Sequence, residues 1–143
     1  MIELREISDE NFHDCLHLDS GLSKEDYVDS VEFSLAEAWS LRPFSHPKAI
    51  YNKGELIGYV SLYCKDRNGE IINFLIDKKY QGKGFGRKAA EVCIDYLKTE
   101  YSLAQISLPV HKEHLEARNF WKKLGFQESN NIEDDYIFMR RTL

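Results

Sequence analysis

The sequence has little cysteine and no arrangement of it that would hold a metal or a disulfide framework. Its three cysteines, Cys15, Cys64 and Cys93, are odd in number and widely separated. No Cys-x-x-Cys or Cys/His spacing typical of a zinc site occurs, so we expect no metal. Buried thiols in a reducing compartment explain the three residues best, and nothing in their local sequence supports a catalytic cysteine.

Long apolar runs and an excess of basic residues are also missing. No stretch approaches the roughly 20 apolar residues of a membrane span, and the first residues lack the basic and apolar regions of a signal peptide. Lysine and arginine number 19 against 24 aspartates and glutamates, which gives a net charge of −5. Because phosphate neutralisation needs clustered cations, this balance argues against nucleic acid as a partner. We expect a cytoplasmic protein that binds neither membrane nor nucleic acid.

The 143 residues that are present suffice for one domain, 1–143, with a hydrophobic core. Alternating apolar positions predict strands, apolar positions three and four apart predict helices, and Asn68-Gly69 predicts a hairpin turn. The order along the chain is βααβββαβαβ, an α+β fold in which helices cover a sheet. The predicted strands are 2–7, 48–51, 56–64, 70–77, 104–110 and 136–140. The predicted helices run from about residue 8 to 18, from about 29 to 41, from the glycines of 82–86 to about 99, and from 114 to 124. The second of them places Val31, Leu35, Ala38 and Trp39 on one apolar face.

The most informative stretch is Gln81-Gly-Lys-Gly-Phe-Gly-Arg-Lys88, which we call the cradle; it lies between a predicted strand and a predicted helix. Its three glycines allow the backbone to turn tightly and to approach a ligand closely. The helix begins with unpaired N–H groups and the positive end of its dipole, which favours a pyrophosphate. Lys83, Arg87 and Lys88 add positive charge. The Walker and dinucleotide-binding patterns both fail, because no Gly-Lys-Ser/Thr occurs and the glycine spacing is GxGxG.

The pattern Gln-x-x-Gly-x-Gly after the apolar run Phe74-Leu-Ile resembles the signature of the GNAT superfamily of N-acetyltransferases. The segment His114-Leu-Glu-Ala-Arg-Asn-Phe-Trp-Lys-Lys-Leu-Gly-Phe126 is similar to the family's late helix and its closing Leu-Gly-Phe. The resemblance extends over nearly the whole chain. It implies a GNAT-like mixed, mostly antiparallel central sheet of about seven strands flanked by about four helices. It also implies an N-acetyltransferase that uses acetyl-CoA and releases coenzyme A.

The resemblance further implies roles for individual residues. The strand Phe74–Ile76 pairs with the pantetheine arm, the amides of the cradle hold the pyrophosphate, and the sheet opens beyond that strand to admit the thioester. His114 stands where most relatives carry an asparagine, and it either bonds the pantetheine or faces solvent. The implied cofactor-binding residues are Phe74, Leu75, Ile76, Gln81, Gly82, Lys83, Gly84, Phe85, Gly86, Arg87, Lys88, His114 and Asn119.

Catalysis needs a base that takes the proton of an ammonium group. Glu70 and, with less support, Asp77 are the carboxylates on the strand before the cradle, although Glu70 also fits a solvated hairpin residue. Trp121 stands at the position of the family's usual tyrosine acid. Because an indole N–H cannot supply a proton at neutral pH, the thiolate leaves unaided, another group protonates it, or turnover is slow. A strand amide near Leu75 or Ile76 would meet the oxyanion.

The acceptor region resembles bacterial spermine/spermidine acetyltransferases within the superfamily, in the stretches 32–39 and 48–59. Asp29, Glu32 and Glu37 would suit a small-molecule amine acceptor, in particular a polyamine. The neighbouring Glu25 and Asp26 extend the same acidic run. A solvated helix face explains such a charge run as well.

Other functions stay open at this point. The acceptor can be another amine, such as a protein N-terminus, an antibiotic or an amino acid. A catalytically weak module that senses acetyl-CoA or serves as a scaffold would also fit Trp121, whereas a purely structural protein would not bind CoA at all. An exposed edge strand at 136–138 would allow a homodimer.

Overall fold

The computed structural model describes residues 1–22 and 28–143, so Glu25 and Asp26 of the acidic run lie outside the described residues. Its strands are β1 (Ile2–Glu6), β2 (Ser45–Asn52), β3 (Glu55–Lys65), β4 (Asn68–Ile76), β5 (Gln105–His111), β6 (Gln127–Glu133) and β7 (Tyr136–Thr142). Its helices are α1 (Phe12–Leu16), α2 (Val31–Ser40), α3 (Phe85–Tyr101) and α4 (Leu115–Lys123), and a 3₁₀ turn covers Lys78–Tyr80.

The seven strands form one sheet in the order β1-β2-β3-β4-β5-β7-β6. Every neighbouring pair is antiparallel except β4 and β5. Apolar residues of α1 and α2 pack on one face of the sheet, and those of α3 and α4 pack on the other. The predicted mixed, mostly antiparallel sheet with four helices is therefore confirmed.

Helix α3 buries the apolar stripe that its spacing predicted, from Ala89 to Leu97. All three cysteines are buried free thiols, as expected. Burial raises the pKa of Cys15 and of Cys64 to about 11 and that of Cys93 to about 12, which keeps the sulfur protonated and a poor nucleophile. Within the described ranges, no helix is long and apolar enough to cross a membrane.

Two expectations about the end of the chain were incomplete or wrong. Strand β6 has no place in the predicted order, because Gln127–Glu133 is polar and mostly exposed and lacks the alternation that marks a half-buried strand. Its pairing with β7 covers the segment 136–138, which we expected at an edge. That expectation was wrong: β7 lies between β5 and β6, and its Ile137 and Met139 are buried.

Predictions for the first two helices also needed correction. The first was expected from about residue 8 to 18, but α1 is only Phe12–Leu16. Trp39 was assigned to the buried face of α2, yet it is 65% exposed. The guanidinium of Arg42, just beyond the helix, lies 3.2 Å from the centre of the Trp39 ring. The indole therefore makes a cation–π contact with Arg42 and does not pack in the core.

A β-bulge in β4 prepares the functional site. The pairs with β3 run from Leu62–Ile71 directly to Ser61–Asn73, which leaves Ile72 as an extra residue. A bulge bends its strand and shifts the side-chain alternation. As a result, Glu70 and Asn73 point to the α1/α2 face although they are three residues apart. Without the bulge, one of them would lie under α3.

Candidate active site

Strands β4 and β5 separate shortly after they meet. Their pairing runs only from Asn68–Gln105 to Glu70–Ser107, and beyond Glu70 the bulged strand leaves its neighbour. The carbonyl of Leu75 faces β3, since a Cβ on Gly58 would collide with it. In a pleated strand the adjacent residues Phe74 and Ile76 then present their N–H and C=O groups to the gap. The predicted opening in the sheet is present at the predicted strand.

The cradle lies at the carboxyl end of β4 and leads into α3. Gly82 and Gly84 have φ values of +78° and +86°, which favour glycine, and a Cβ on either residue would stand in open space. The first amides of α3 have no partner within the helix, and among residues 1–22 and 28–143 no side chain caps the helix at Gly84. An anion of the size of a phosphate can therefore reach these amides.

Charge around the cradle matches a pyrophosphate. Lys83, Arg87 and Lys88 are exposed beside the helix start, and the first turn of α3 carries no acidic residue. Glu91 pairs with Arg87 at 3.8 Å one turn further along. The positive end of the helix dipole and three mobile cations suit the charge of coenzyme A. The residues present fit the cofactor that the sequence predicts.

The side chain of Gln81 does not turn toward the helix start. Its Nε2 donates to the carbonyl of Ile76 at 2.7 Å and to the carbonyl of Ser20 at 2.8 Å. Asp77 is 6% exposed and accepts from the amides of Asp19 and Lys79. Because both of its carboxylate oxygens are engaged with backbone, Asp77 is poorly suited to be the base.

Helix α4 brings aromatic residues to the gap. The ring of Trp121 lies 5.4 Å from Phe74, 4.9 Å from Phe120 and 5.4 Å from Phe126, centre to centre, and the residue is 6% exposed. Trp121 therefore packs in the core beneath the strand predicted to hold the pantetheine. This packing gives Trp121 a structural role and offers no support for a catalytic one.

The two polar residues predicted on α4 lie at different depths. His114 caps the start of the helix and is half-buried. Burial, helped by nearby His111, lowers the pKa of His114, which keeps its imidazole neutral near pH 7. Asn119 is exposed, directly before Phe120, whose ring approaches Gly86 of the cradle. Their contacts with the cofactor stay predictions.

On the other face of β4, carboxylates from two other elements act on Glu70. Burial raises the pKa of Glu70, and the negative charges of Glu37 on α2 and Glu133 at the end of β6 raise it further. Burial and the charge of Asp29 likewise raise the pKa of Glu37. The pattern of a half-buried carboxylate among like charges is typical of an acid–base group.

A cavity of about 440 Å³ reaches this acidic group at Asp29, whereas Glu70 lines a separate pocket of about 230 Å³. The larger cavity lies between α2 and the chain that follows α1, and Leu75 of β4 forms part of its wall together with Asp29 and Glu32. We call it the acceptor cavity, after the predicted acceptor residues Asp29 and Glu32 that line it. Asn73 reaches from β4 to donate to the carbonyl of Asp29 at 3.3 Å, which ties the start of α2 to the bulged strand.

Sequence reasoning missed two of these residues. Asn73 is 7% exposed within the apolar run of β4, and a buried amide in such a run was a usable signal. Glu133 gave no signal, because its strand has no recognisable pattern. The charges of Asp29, Glu37 and Glu70 act on one another in sequence, whereas Glu32 is exposed at the rim of the cavity.

Solved structures with the same fold include an N-acetyltransferase and a spermidine acetyltransferase. The PaiA N-acetyltransferase of Thermoplasma acidophilum, in complex with coenzyme A, has a TM-score of 0.77 at 17% identity and covers 100% of this chain and 99% of its own. The spermidine N-acetyltransferase of Vibrio cholerae, in complex with CoA and spermine, has a TM-score of 0.78 at 22% identity, with 99% and 95% covered.

The sequence comparisons define the family. The acetyltransferase (GNAT) family matches residues 3–126. The spermine/spermidine N(1)-acetyltransferase of Bacillus subtilis is 26% identical over 140 residues, which cover 92% of this chain and 91% of that protein. The chain belongs to the GNAT acetyltransferase family and is an acetyl-CoA-dependent N-acetyltransferase.

Proposed function

We propose that the acceptor is a polyamine such as spermidine or spermine, acetylated on a primary amine. The observation that carries this proposal is the acidic track Asp29–Glu37–Glu70–Glu133, in which the charge of Asp29 acts on Glu37 and the charges of Glu37 and Glu133 act on Glu70. A chain of ammonium groups matches such a track, because each carboxylate meets a positive charge. The similarity to curated and solved polyamine acetyltransferases supports the same class of substrate.

Glu70 is the base in this proposal. An ammonium group has a pKa of about 10, so it must lose a proton before its nitrogen can attack. The raised pKa of Glu70 makes its carboxylate a stronger proton acceptor than an ordinary glutamate, while Glu37 and Glu133 hold the remaining charges of the polyamine. The bulge in β4 is what turns Glu70 toward them.

The backbone of β4 and the cradle supply the rest. The cradle and Phe74–Ile76 would hold acetyl-CoA, which would supply the acetyl group as a thioester with the thiolate of coenzyme A as its leaving group. The alternation of a strand directs the N–H of Ile76 to the gap, where it would stabilise an oxyanion, and that of Leu75 to β3. Trp121 donates no proton. Because a thiol has a pKa of about 8.5, the thiolate can leave near pH 8 without a residue that protonates it.

The test measures thiol release from acetyl-CoA with spermine, spermidine, putrescine, lysine and an aminoglycoside. We expect turnover with the polyamines, and a loss in kcat of about 10²–10⁴-fold in Glu70→Gln. Glu100→Gln, an exposed glutamate at the far end of α3, is the matched control and should behave as wild type. Turnover with the aminoglycoside or lysine but not with spermine or spermidine would refute the polyamine assignment.

A further inference from the structure

We propose that Asp77 and Gln81 form a clamp that fastens the loop Asp19–Leu22 to the cradle and thereby couples cofactor binding to the acceptor cavity. The two residues act by positioning, because their side chains bond protein backbone. The link to the acceptor rests on the function proposed above. The clamp itself rests on contacts between two segments that are more than fifty residues apart in the chain.

The first half of the clamp is the buried carboxylate of Asp77. One of its oxygens accepts from the amide of Asp19 at 3.1 Å, and the other accepts from the amide of Lys79 at 3.0 Å. In return, the amide of Lys78 donates to the carbonyl of Asp19 at 2.8 Å. Asp77 thus joins the loop after α1 to the turn that opens the cradle. Hydrogen bonds to a buried charge are among the stronger ones in proteins.

The second half is the side-chain amide of Gln81. Its nitrogen bridges the carbonyls of Ser20 and Ile76, so one group holds both the loop and the end of β4. The loop keeps its shape through a bond from the amide of Gly21 to Asp19 Oδ1 at 2.8 Å, with a φ of +80° at Gly21. Both hydrogens of the Gln81 amide are used, which fixes its orientation.

The loop held in this way is a wall of the acceptor cavity. Asp19, Ser20 and Leu22 line the cavity of about 440 Å³ opposite Asp29 and Leu75. Gly82, which follows Gln81 directly, is the first glycine of the cradle, whose amides would bind the pyrophosphate. A ligand that immobilises the cradle also immobilises Gln81 and, through it, the loop. The acceptor then meets a wall that is already ordered, which is a favourable coupling between the two sites.

Hydrogen exchange tests the clamp without an acceptor. In the wild-type protein, saturating CoA should slow exchange of the backbone amides of Asp19 and Gly21, since both belong to the clamped loop. Asp77→Asn is an isosteric change that leaves one acceptor oxygen for the amides of Asp19 and Lys79, so one of the two bonds is lost. CoA should still bind to this variant within about threefold, but the protection of the loop should disappear. Unchanged exchange on CoA binding in the wild type, or protection retained in the variant, would overturn the proposal.

Kinetics test the consequence for the acceptor. Asp77→Asn and Gln81→Met should each raise the KM for spermine about tenfold, which is the size of effect expected for one lost hydrogen bond of this kind. The KM for acetyl-CoA should change by less than about threefold in Asp77→Asn. A general loss of folding would impair both substrates and would not produce this difference between the two KM values. Gln127→Met, on exposed β6, is the matched control. Equal rises in both KM values would contradict a positioning role.

The two experiments separate this proposal from the one on which it rests. If no amine is acetylated but CoA protects the loop in the wild type and not in Asp77→Asn, the acceptor assignment fails and the clamp stands. If spermine is acetylated normally and CoA leaves the loop unprotected, the clamp fails alone. Gln81→Met carries the exchange experiment should Asp77→Asn not fold.

Discussion

The raised pKa of Glu70 depends on neighbouring residues, and single substitutions of those residues can test it. The pKa of Glu70 is raised by burial and then by the charges of Glu37 and Glu133. The base must be ionised, so kcat/KM should fall as the pH drops through this raised pKa. Glu37→Gln removes a negative charge that opposes ionisation, so the pKa of Glu70 should decrease and the acid limb of the pH profile should move to lower pH.

The profile of kcat/KM against pH, measured with spermine at saturating acetyl-CoA, checks the sign of this shift. Glu37→Gln should also raise the KM for spermine several-fold, because one carboxylate of the acidic track is lost. Glu100→Gln should leave the limb where it is. A limb that moves to higher pH in Glu37→Gln, or that survives in Glu70→Gln, would remove Glu70 from the role of base.

Trp121 offers a second prediction at the scale of single residues. Its ring is enclosed by Phe74, Phe120 and Phe126, so we expect Trp121→Phe to lower the free energy of unfolding by about 1–2 kcal/mol through the volume lost in the core. The value of kcat should stay within about threefold of wild type, because no proton passes through the indole.

Thermal unfolding and thiol release measure the two effects separately. Trp39→Phe is the matched control for the same substitution at an exposed position, and it should leave stability nearly unchanged. A fall in kcat of a hundredfold in Trp121→Phe, with stability intact, would show that the tryptophan takes part in the reaction.

Residues whose roles depend on local geometry could be predicted from the sequence. The cradle is such a case, because Gly82 and Gly84 need only their own backbone conformation and the helix that follows. The surroundings of Glu70 could not be predicted in the same way. They depend on an extra residue in β4 and on a carboxylate that arrives from β6, and neither leaves a mark in the residues next to Glu70.

At the scale of elements, the position of β4 depends on the close approach of β3. A Cβ on Gly58 would collide with the carbonyl of Leu75, and backbone cannot move aside as a side chain can. We expect Gly58→Ala to lower the Tm by roughly 3–10 °C, the range for overpacking in a domain of this size. It should also impair acetyl-CoA binding, because β4 carries the groups that face the gap.

Gly69→Ala is the comparison within the same pair of strands. The added methyl group would meet the end of the Leu103 side chain, which can rotate away, so the loss in Tm should be smaller and the KM for acetyl-CoA unchanged. Calorimetry and titration with CoA supply both readouts. Equal effects of the two substitutions would show that the spacing of β3 and β4 does not determine the cofactor site.

The elements that the sequence predicted well are those with a strong apolar period. Helix α3 and strands β3 and β4 are examples, since burial imposes an apolar pattern on them. The hairpin turn predicted at Asn68-Gly69 was wrong: the turn consists of Asp66 and Arg67, with a φ of +57° at Asp66, and Asn68 and Gly69 already belong to β4 and pair with β3. Strand β6 could not be found from an apolar period, because it lies at an edge of the sheet and buries almost nothing. The wrong placement of β7 at an edge followed directly from missing its neighbour.

At the scale of the whole molecule, the charge of −5 and the acidic track act together on a cationic acceptor. Attraction between exposed charges is screened over about 10 Å at 0.1 M salt. The KM for spermine, which carries several positive charges, should therefore rise several-fold between low and 0.3 M sodium chloride. A simple monoamine of similar reactivity should show a change of less than about twofold.

Acetyl-CoA must be saturating at every salt concentration, because the cradle binds an anion through Lys83, Arg87 and Lys88 and weakens with salt as well. Glu100→Gln keeps the acidic track while it changes the net charge, so it should retain the full salt dependence for spermine. Glu37→Gln changes the net charge equally but interrupts the track, so its salt dependence should be smaller. If both variants respond alike, attraction comes from the overall charge, and the track Asp29–Glu37–Glu70–Glu133 does not recognise the acceptor.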